Sequence, residues 1–219
     1  MAVSEIFNSV FKVDGKLATV NMVPRKKVYG EQLVREKGTE YRLWDPYRSK
    51  LAAAILKGMK SMEIGGGSTV LYLGAATGTT VSHVSDIVGK EGIIYCIEFS
   101  ERNFRELYMV CESRSNTIPI LSDARDYQAY GKEMEAVDIL YEDVSARDQA
   151  EILLGNAELL KKGGYAYVAI KSQSISTSRD PKEIYKEFLG KLEPVFEILE
   201  KIDIMPYDKA HLFVVLKKK

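Results

Sequence analysis

The stretch at residues 69–80 constrains the fold of this chain more than any other part of the sequence. Its first five residues, Thr69–Leu73, are mostly apolar or β-branched and predict a buried strand. Gly74 and Gly78 then bracket a short loop, and residues 83–88 predict a helix. A strand, a glycine loop and a helix in this order make a cradle for a nucleotide-like cofactor, because glycine permits close backbone approach and a helix N-terminus offers free N–H donors.

From residue 69 onward, strand patterns alternate with helix patterns, which predicts a mostly parallel sheet covered on both faces. Further helices are expected at residues 102–112, from a cap at Ser145 to Leu160, and from a cap at Asp180 to residue 192. No helix pattern separates the last two strands, so we expect them to pair antiparallel. The predicted fold class is α/β, a Rossmann-like methyltransferase fold with a seven-stranded, mostly parallel sheet. The seven strands are expected at residues 69–73, 93–98, 117–121, 137–141, 165–170, 195–203 and 211–216.

The first part of the chain has a different pattern and predicts a small antiparallel β domain. Asp14 and Gly15 lie between two alternating segments within residues 11–20, which is the strongest short-range signal for a hairpin. Further strands are expected around residues 27–30 and 40–44, and a linking helix at residues 49–59. We therefore divide the chain into residues 1–57, a β-rich domain with its linking helix, and residues 58–219, the larger domain.

Composition excludes several classes of protein. The 46% hydrophobic content indicates a globular core, and no apolar run approaches the roughly 20 residues of a membrane helix. No secretion signal is evident, so we expect a cytoplasmic protein without membrane attachment. Two cysteines are too few for a zinc site, and no metal is expected. The 31 basic and 31 acidic residues balance, which does not indicate a protein that binds nucleic acid on its own.

The glycine loop and the acidic strand ends indicate which cofactor binds. The loop has the pattern G-x-x-x-G and lacks the middle glycine that lets a backbone approach a pyrophosphate. S-adenosylmethionine has no pyrophosphate, so the pattern favours it over NAD or FAD. Glu98 is placed to accept hydrogen bonds from ribose hydroxyls, and Asp123 from the adenine amino group. Ala124 and Phe99 are expected to contact the adenine ring. Glu98, Asp123 and Asp143 follow different strands, so all three should lie at the ligand-binding edge of the sheet.

A nicotinamide cofactor is the alternative. Tyr167 and Lys171 have the Y-x-x-x-K spacing of short-chain dehydrogenases. That spacing brings the two side chains together on a helix. Here the segment follows two glycines and predicts a strand, so we interpret the match as coincidental.

Candidate catalytic residues gather at the same edge. Methyl transfer to a hydroxyl needs a nearby base or cation, because the protonated hydroxyl is a weak nucleophile. Asp143 and Lys171 follow the fourth and fifth predicted strands and should be neighbours, while Lys50 begins the linking helix and His211 begins the last strand. We expect these four residues to form the catalytic constellation. His83, on the helix after the glycine loop, is expected to have a structural role.

Six runs of sequence are specific enough to indicate a family. They lie at residues 41–55 (YRLWDPYRSKLAAAI), 72–86 (YLGAATGTTVSHVSD), 97–100 (IEFS), 142–144 (EDV), 169–171 (AIK) and 206–211 (PYDKAH). In these runs the chain resembles the archaeal fibrillarins, the RNA 2′-O-methyltransferases of box C/D guide-RNA particles. The resemblance implies a catalytic set at Lys50, Asp143, Lys171 and His211. It also implies a cofactor site at Tyr72, Gly74, Ala75, Ala76, Thr77, Gly78, Thr79, Thr80, Glu98, Phe99, Asp123, Ala124 and Asp143.

The resemblance further implies partners, and the candidate residues allow a hypothesis of the mechanism. We expect Lys171 to act as general base and Asp143 to orient it, with Lys50 and His211 placing the ribose and phosphate. The expected partners are a Nop-family scaffold protein, the kink-turn-binding protein of the particle, and a box C/D guide RNA that pairs with ribosomal or transfer RNA. Two alternatives remain open from the sequence. They are a non-catalytic structural subunit of an RNA particle and a stand-alone small-molecule methyltransferase.

Overall fold

A computed structural model describes residues 2–219, without the side chain of residue 133. The larger sheet has seven strands in the order β11-β12-β10-β9-β6-β7-β8, and the pairs β11–β12 and β10–β12 are antiparallel while the other four are parallel. This arrangement confirms the predicted α/β fold class. A second sheet, in the order β1-β2-β3-β5-β4, is antiparallel throughout. The strands are β1 Val3–Phe7, β2 Val10–Val13, β3 Lys16–Val20, β4 Leu33–Glu36, β5 Thr39–Leu43, β6 Thr69–Leu73, β7 Ile93–Glu98, β8 Thr117–Leu121, β9 Val137–Glu142, β10 Leu160–Lys171, β11 Phe196–Asp203 and β12 His211–Lys218.

Within residues 2–219, seven α-helices connect or flank these strands. Asp180 caps the last of them by accepting a hydrogen bond from the backbone N–H of Lys182, with Pro181 as the first helical residue, as the sequence predicts. The helices are α1 Lys50–Leu56, α2 Thr79–Val88, α3 Glu101–Cys111, α4 Tyr127–Tyr130, α5 Gln149–Asn156, α6 Ser172–Ile175 and α7 Pro181–Leu192. Single 3-10 turns follow α4 and α5, at Gly131–Glu133 and Ala157–Leu159.

The small sheet agrees with its predicted hairpin but not with every predicted strand. Asp14 and Gly15 both have positive φ angles, 47° and 80°, as the tight turn of a hairpin requires. The prediction of a strand at residues 27–30 is wrong. There the backbone N–H groups of Val28 and Tyr29 donate to the carboxylate of Glu31, so the segment is held as a turn and the strand lies later, at Leu33–Glu36.

The helix predicted from Ser145 to Leu160 is also placed wrongly. It begins only at Gln149, after Asp148, and Ser145 does not cap it. Leu160, expected on its apolar face, instead begins β10, which is longer than predicted at 12 residues. The linking helix is shorter than the predicted residues 49–59, because it spans only Lys50–Leu56.

Buried charges attach the small sheet to the helix that follows the glycine loop. Asp86 of α2 accepts from the guanidinium of Arg42 on β5 at 2.8 Å and from that of Arg114 at 2.7 Å. Glu31 also pairs with Arg42 at 2.7 Å, and the four side chains are at most 1% exposed. We call these four residues the Asp86 network.

His83 packs beside the Asp86 network and has the structural role expected of it. Its ring stacks on Trp44 with centroids 4.7 Å apart, and its two nitrogens lie 2.8 Å from the hydroxyl of Thr19 and 2.7 Å from that of Tyr29. Burial lowers the pKa of His83 well below its usual value, so the ring is neutral. One continuous hydrophobic core, which contains Val10 as well as Val70, extends between the two sheets. The domain boundary near residue 57 remains a prediction.

Candidate active site

The carboxyl edge of the large sheet carries a cleft of about 360 Å³. Strands β6, β7 and β9 point their ends into it, as parallel strands of open α/β sheets do at a ligand site. Glu98 is the last residue of β7, Asp143 directly follows β9, and Asp123 lies two residues after β8. All three acidic residues line the cleft, as the sequence predicts. The complete lining is Gly74, Ala76, Glu98, Phe99, Asn103, Asp123, Ala124, Arg125, Asp143, Val144, Ser145, Ala146, Ile152 and Lys171.

Gly74 is required where the glycine loop crosses the end of β9. It has a φ of +77°, and a Cβ added there would lie 2.8 Å from the carbonyl oxygen of Asp143. The backbone N–H groups of Gly74 and Ala75 both donate to the carbonyl oxygen of Ile97. The first loop residue therefore has no room for a side chain, and its backbone forms a wall of the cleft.

Glu98 holds the other side of the loop. One carboxylate oxygen accepts from the backbone N–H of Ala76 at 2.8 Å, and the other accepts from that of Ser100 at 2.9 Å. The side chain is almost fully buried but still lines the cleft. Glu98 thus shapes the loop and presents a carboxylate to a bound ligand.

We predict that Gly74→Ala destabilises the protein by more than about 1 kcal/mol, because the new Cβ meets backbone atoms and the positive φ disfavours alanine. Cofactor affinity should fall with it, since the loop must move. Urea unfolding and calorimetric titration measure the two effects. The matched control is Gly190→Ala on α7, where a Cβ meets nothing within 4 Å and stability should not decrease. Equal behaviour of the two variants would contradict this account of the loop.

The predicted cofactor residues divide into two groups. Gly74, Ala76, Glu98, Phe99, Asp123, Ala124 and Asp143 line the cleft. Tyr72 instead lies in the core, where its ring stacks on Tyr141 with centroids 4.3 Å apart. Thr80 donates to the hydroxyl of Ser49, the N-cap of α1, and so couples the loop to that helix. Ala75, Thr77, Gly78 and Thr79 form the remainder of the loop and the start of α2. Asp123 forms a 3.0 Å ion pair with Arg125. Arg125 also lines the cleft, and the sequence pattern did not single it out.

Asp143 is the centre of the predicted catalytic constellation. Its carboxylate lies 3.1 Å from the ammonium nitrogen of Lys50 on α1 and 2.8 Å from that of Lys171 at the end of β10. The three side chains are between 13% and 19% exposed, so the charges are partly shielded from water but still reachable from it. We call these three residues the Asp143 cluster. The structure brings them together as expected.

The surroundings of Lys171 do not favour its expected role as general base. Besides the carboxylate of Asp143, its ammonium nitrogen donates to the carbonyl oxygen of Asp143 at 2.7 Å and to the hydroxyl of Ser145 at 3.0 Å. Two of these contacts are hydrogen bonds, and the 2.8 Å contact with the carboxylate of Asp143 is an ion pair. The nitrogen of Lys171 is therefore surrounded by oxygen acceptors. Ser145, predicted as a helix cap, is instead part of this arrangement.

His211 joins the Asp143 cluster through a residue that the sequence reasoning missed. Its Nδ1 atom lies 2.9 Å from a carboxylate oxygen of Asp208, and the other oxygen of that carboxylate is 3.8 Å from Lys50. Asp208 precedes His211 by three residues, in the connection between the last two strands. The three-residue spacing between Asp208 and His211 was the available signal. Because no helix was expected in that connection, the spacing alone did not predict that the two side chains meet.

Glu142 adds a neutral carboxyl group beneath the cluster. It is fully buried at the end of β9, and neither of its oxygens has a hydrogen-bond partner within the described part of the chain. Burial raises the pKa of Glu142 well above its usual value, the charges of Asp143 and Asp148 raise it further, and Lys171 lowers it. Burial therefore favours the neutral acid at Glu142, and Asp143 is the carboxylate that contacts both lysines.

Comparisons with known proteins show which proteins this chain is similar to. The family model described as Fibrillarin matches residues 1–219. The fibrillarin-like rRNA/tRNA 2′-O-methyltransferase of Thermococcus sibiricus is 49% identical over 213 residues, covering 96% of this chain and 94% of that protein. Among solved structures, Aeropyrum pernix fibrillarin with natively bound S-adenosyl-L-methionine aligns with a TM-score of 0.91 at 42% identity, covering 99% and 98% of the two chains. A fibrillarin/Nop5p complex aligns with a TM-score of 0.90 at 39% identity, covering 99% and 100%. Across residues 2–219, no helix has both the length and the apolar character needed to cross a membrane.

Proposed function

Because the chain belongs to the fibrillarin family, we propose that it transfers a methyl group from S-adenosylmethionine to ribose 2′-hydroxyls of ribosomal and transfer RNA. The observation that supports this most directly is the Asp143 cluster, two lysines held by one carboxylate at the mouth of the glycine-loop cleft. A cytoplasmic location is part of the proposal.

The cleft residues fit the proposed cofactor. The backbone of Gly74 and Ala76 forms a wall of the cleft, and a side chain at position 74 would collide with the backbone of Asp143 and displace that wall. The carboxylate of Glu98 can accept from ribose hydroxyls, and the exposed ring of Phe99, 74% accessible, offers a flat apolar surface for a purine. When bound, S-adenosylmethionine supplies a methyl group on a positively charged sulfur. Asp123, although paired with Arg125, keeps carboxylate surface toward the cleft and can accept from an amino group.

The Asp143 cluster is suited to the charge that develops on the acceptor oxygen. A ribose hydroxyl gains negative charge as it loses its proton, and fixed positive groups stabilise that charge in a partly desolvated site. Lys50 and Lys171 supply two such groups, and Asp143 fixes both in position while balancing their charge in the absence of RNA. We propose that Lys50 and Lys171 contact the reacting ribose and that Asp143 orients them.

A fibrillarin has been solved in complex with Nop5p, and we propose a Nop-family scaffold protein as partner of this chain. We extend the proposal to the kink-turn-binding protein of the particle, a box C/D guide RNA and the target RNA it pairs with. The zero net charge supports dependence on such partners, because contacts to RNA phosphates must then come largely from elsewhere.

The test is methylation by a particle reconstituted from the chain, its Nop-family partner, the kink-turn-binding protein and a guide RNA. We expect one 2′-O-methyl group at the nucleotide that the guide selects. Cofactor binding without methylation of any guided target would contradict the assignment, and failure to bind S-adenosylmethionine would favour a structural subunit. Methylation of small molecules without RNA or partner proteins would favour the stand-alone enzyme.

We predict that Glu98→Gln weakens the binding of S-adenosylmethionine by about 10- to 100-fold, the usual effect of losing hydrogen bonds to a buried charge. The amide also cannot accept at both of its ends, so it loses either the bond from Ala76 or that from Ser100. Calorimetric titration of the isolated chain measures the change. Glu112→Gln, an exposed residue just after α3, is the control and should leave the affinity unchanged. An affinity of Glu98→Gln within twofold of wild type would remove Glu98 from the site.

A further inference from the structure

We propose that Asp208 is a positioning residue that holds His211 with Nε2 free to take the proton from the ribose 2′-hydroxyl. This inference rests on the proposed methyltransfer and deepens it by assigning the base. Asp208 belongs neither to the cofactor cleft nor to the Asp143 cluster. Its carboxylate nevertheless contacts both His211 and Lys50.

The two contacts of His211 determine which ring nitrogen carries the hydrogen. Nδ1 lies 2.8 Å from the carbonyl oxygen of Lys209 and 2.9 Å from a carboxylate oxygen of Asp208. A carbonyl and a carboxylate can only accept, so Nδ1 must donate. In the neutral ring the lone pair is then on Nε2, and in residues 2–219 no hydrogen-bond partner occupies that atom. A histidine held in this way by a carboxylate is oriented as a general base.

The other titratable groups of the site are poor bases by the same geometry. Lys171 donates two hydrogen bonds, to the carbonyl oxygen of Asp143 and to Ser145, and forms an ion pair with the Asp143 carboxylate, so its nitrogen already faces three oxygen atoms. Asp143 lies between two ammonium groups, 3.1 Å from that of Lys50 and 2.8 Å from that of Lys171, so its carboxylate faces the lysines. Glu142 is fully buried and does not line the cleft. Of these acid–base groups, His211 alone combines a free lone pair with partial exposure, 17% for its side chain.

His211 is also placed beside the cluster by the sheet. It is paired with Lys171 across the antiparallel β10–β12 ladder, and residues paired in this way project from the same face. Asp208 lies between His211 and Lys50, so the four catalytic candidates form one connected group. The charged or titratable groups next to His211 are Asp208 and Lys209 of the preceding connection and Lys171 of β10. Beyond them, Lys50 of α1 contacts Asp208, Asp143 contacts Lys171, and Asp208 acts electrostatically on Tyr185 of α7.

The proposed step balances in atoms and charge. A bond forms between the ribose 2′-oxygen and the methyl carbon as the bond between that carbon and the sulfonium sulfur breaks. The electron pair of the broken bond remains on sulfur, which becomes neutral, and the hydroxyl proton moves to Nε2 of His211. The imidazolium that results is stabilised by the carboxylate of Asp208 and later releases its proton to water.

The first test needs neither cofactor nor RNA. The chain has only two histidines, so long-range ¹H–¹⁵N spectra of the isolated, histidine-labelled protein resolve each ring. We expect the Nδ1–H form for His211 at neutral pH and a shift toward the Nε2–H form in Asp208→Asn. His83 is the internal reference and should be unchanged, because its partners are Thr19 and Tyr29. An Nε2–H form of His211 in the wild type would overturn the proposal.

The second test is the single-turnover rate of the assembled particle as a function of pH. We expect the wild-type rate to fall on the acidic side as the imidazole takes up a proton. His211→Gln should lower the rate about 100-fold and remove that fall, and Asp208→Asn should lower it at least about tenfold, with part of the rate restored by Asp208→Glu. The matched control is Asp203→Asn at the other end of the same connection, whose side-chain oxygen can still accept from Met205 and whose rate should be unchanged.

The outcomes separate the inference from the proposed function. A wild-type particle that methylates, together with an Asp208→Asn rate within twofold of it, would overturn the inference alone. The same holds if His211→Gln keeps the wild-type pH profile. A wild-type particle that does not methylate guided RNA would contradict the proposed function, and the base assignment with it.

Discussion

Replacing Asp143 by asparagine is expected to lower the single-turnover rate of RNA methylation by at least about 100-fold. The carboxylate lies 2.8 Å from Lys171 and 3.1 Å from Lys50, and it is the group that keeps two ammonium ions together. A neutral amide leaves the two positive charges unbalanced in a partly buried site, so they separate. The reacting oxygen then loses both of its stabilising charges. The measurement is rapid-quench methylation by the assembled particle with saturating cofactor and target RNA.

A matched control is available on the same strand. Asp138, near the start of β9, forms a 2.6 Å pair with Lys161 in which both side chains are at least 40% exposed. Asp138→Asn removes the same kind of charge pair at the opposite end of the strand and should leave the methylation rate unchanged. The affinity of each variant for S-adenosylmethionine, measured separately, distinguishes lost binding from lost catalysis. An Asp143→Asn rate within threefold of wild type would show that the two lysines do not need this carboxylate.

The carboxyl edge of the sheet could be predicted because strand ends are local features. The first three strands, Thr69–Leu73, Ile93–Glu98 and Thr117–Leu121, lie where the apolar runs and the turn residues around them predict. In a parallel sheet, the order of such segments is enough to bring their final residues to one edge. The proximity of Asp143 to Lys171 follows from that rule, and the measured 2.8 Å agrees with it.

Features that depend on distant or competing partners could not be predicted in this way. Ser145 fits a helix cap by its sequence, but Lys171, 26 residues later, takes its hydroxyl as a hydrogen-bond acceptor. The segment at residues 27–30 has strand-like composition. However, its N–H groups donate to the carboxylate of Glu31 and are therefore not available for pairing with a neighbouring strand. In both places a side chain competes with regular secondary structure for backbone or hydroxyl groups, and local propensity does not record that competition.

The Asp86 network is another case, because its members come from four separate parts of the chain. Arg42 lies 44 residues before Asp86, and Arg114 lies 28 residues after it. None of the four residues belongs to a recognisable motif of charge spacing. In the folded protein, Asp86 also accepts from the hydroxyl of Thr19 and the backbone N–H of Met22. The carboxylate thus connects strands β3 and β5 of the small sheet and the loop after β3 to the helix α2 that begins at the glycine loop.

We expect Asp86→Asn to lower the free energy of unfolding by about 3–5 kcal/mol, the usual cost of leaving a buried ion pair without one partner. Two guanidinium groups, each at most 1% exposed, would face a neutral amide with no access to water. Because α2 starts at the glycine loop, unfolded molecules cannot hold that loop. The apparent affinity for the cofactor should therefore also decrease at urea concentrations near the unfolding midpoint of the variant. Urea unfolding followed by circular dichroism measures the first effect and calorimetric titration the second.

The control for Asp86→Asn is Glu151→Gln, which removes an ion pair with Lys191 at the protein surface. Both of those side chains are more than 40% exposed, so the loss should be below about 1 kcal/mol. The comparison separates burial from charge, since each variant replaces one carboxylate by its amide. A loss below 1 kcal/mol for Asp86→Asn would mean that the two arginines find other partners or reach water. The small sheet would then be held to the methyltransferase sheet mainly by the continuous apolar core that contains Val10, Trp44 and Val70.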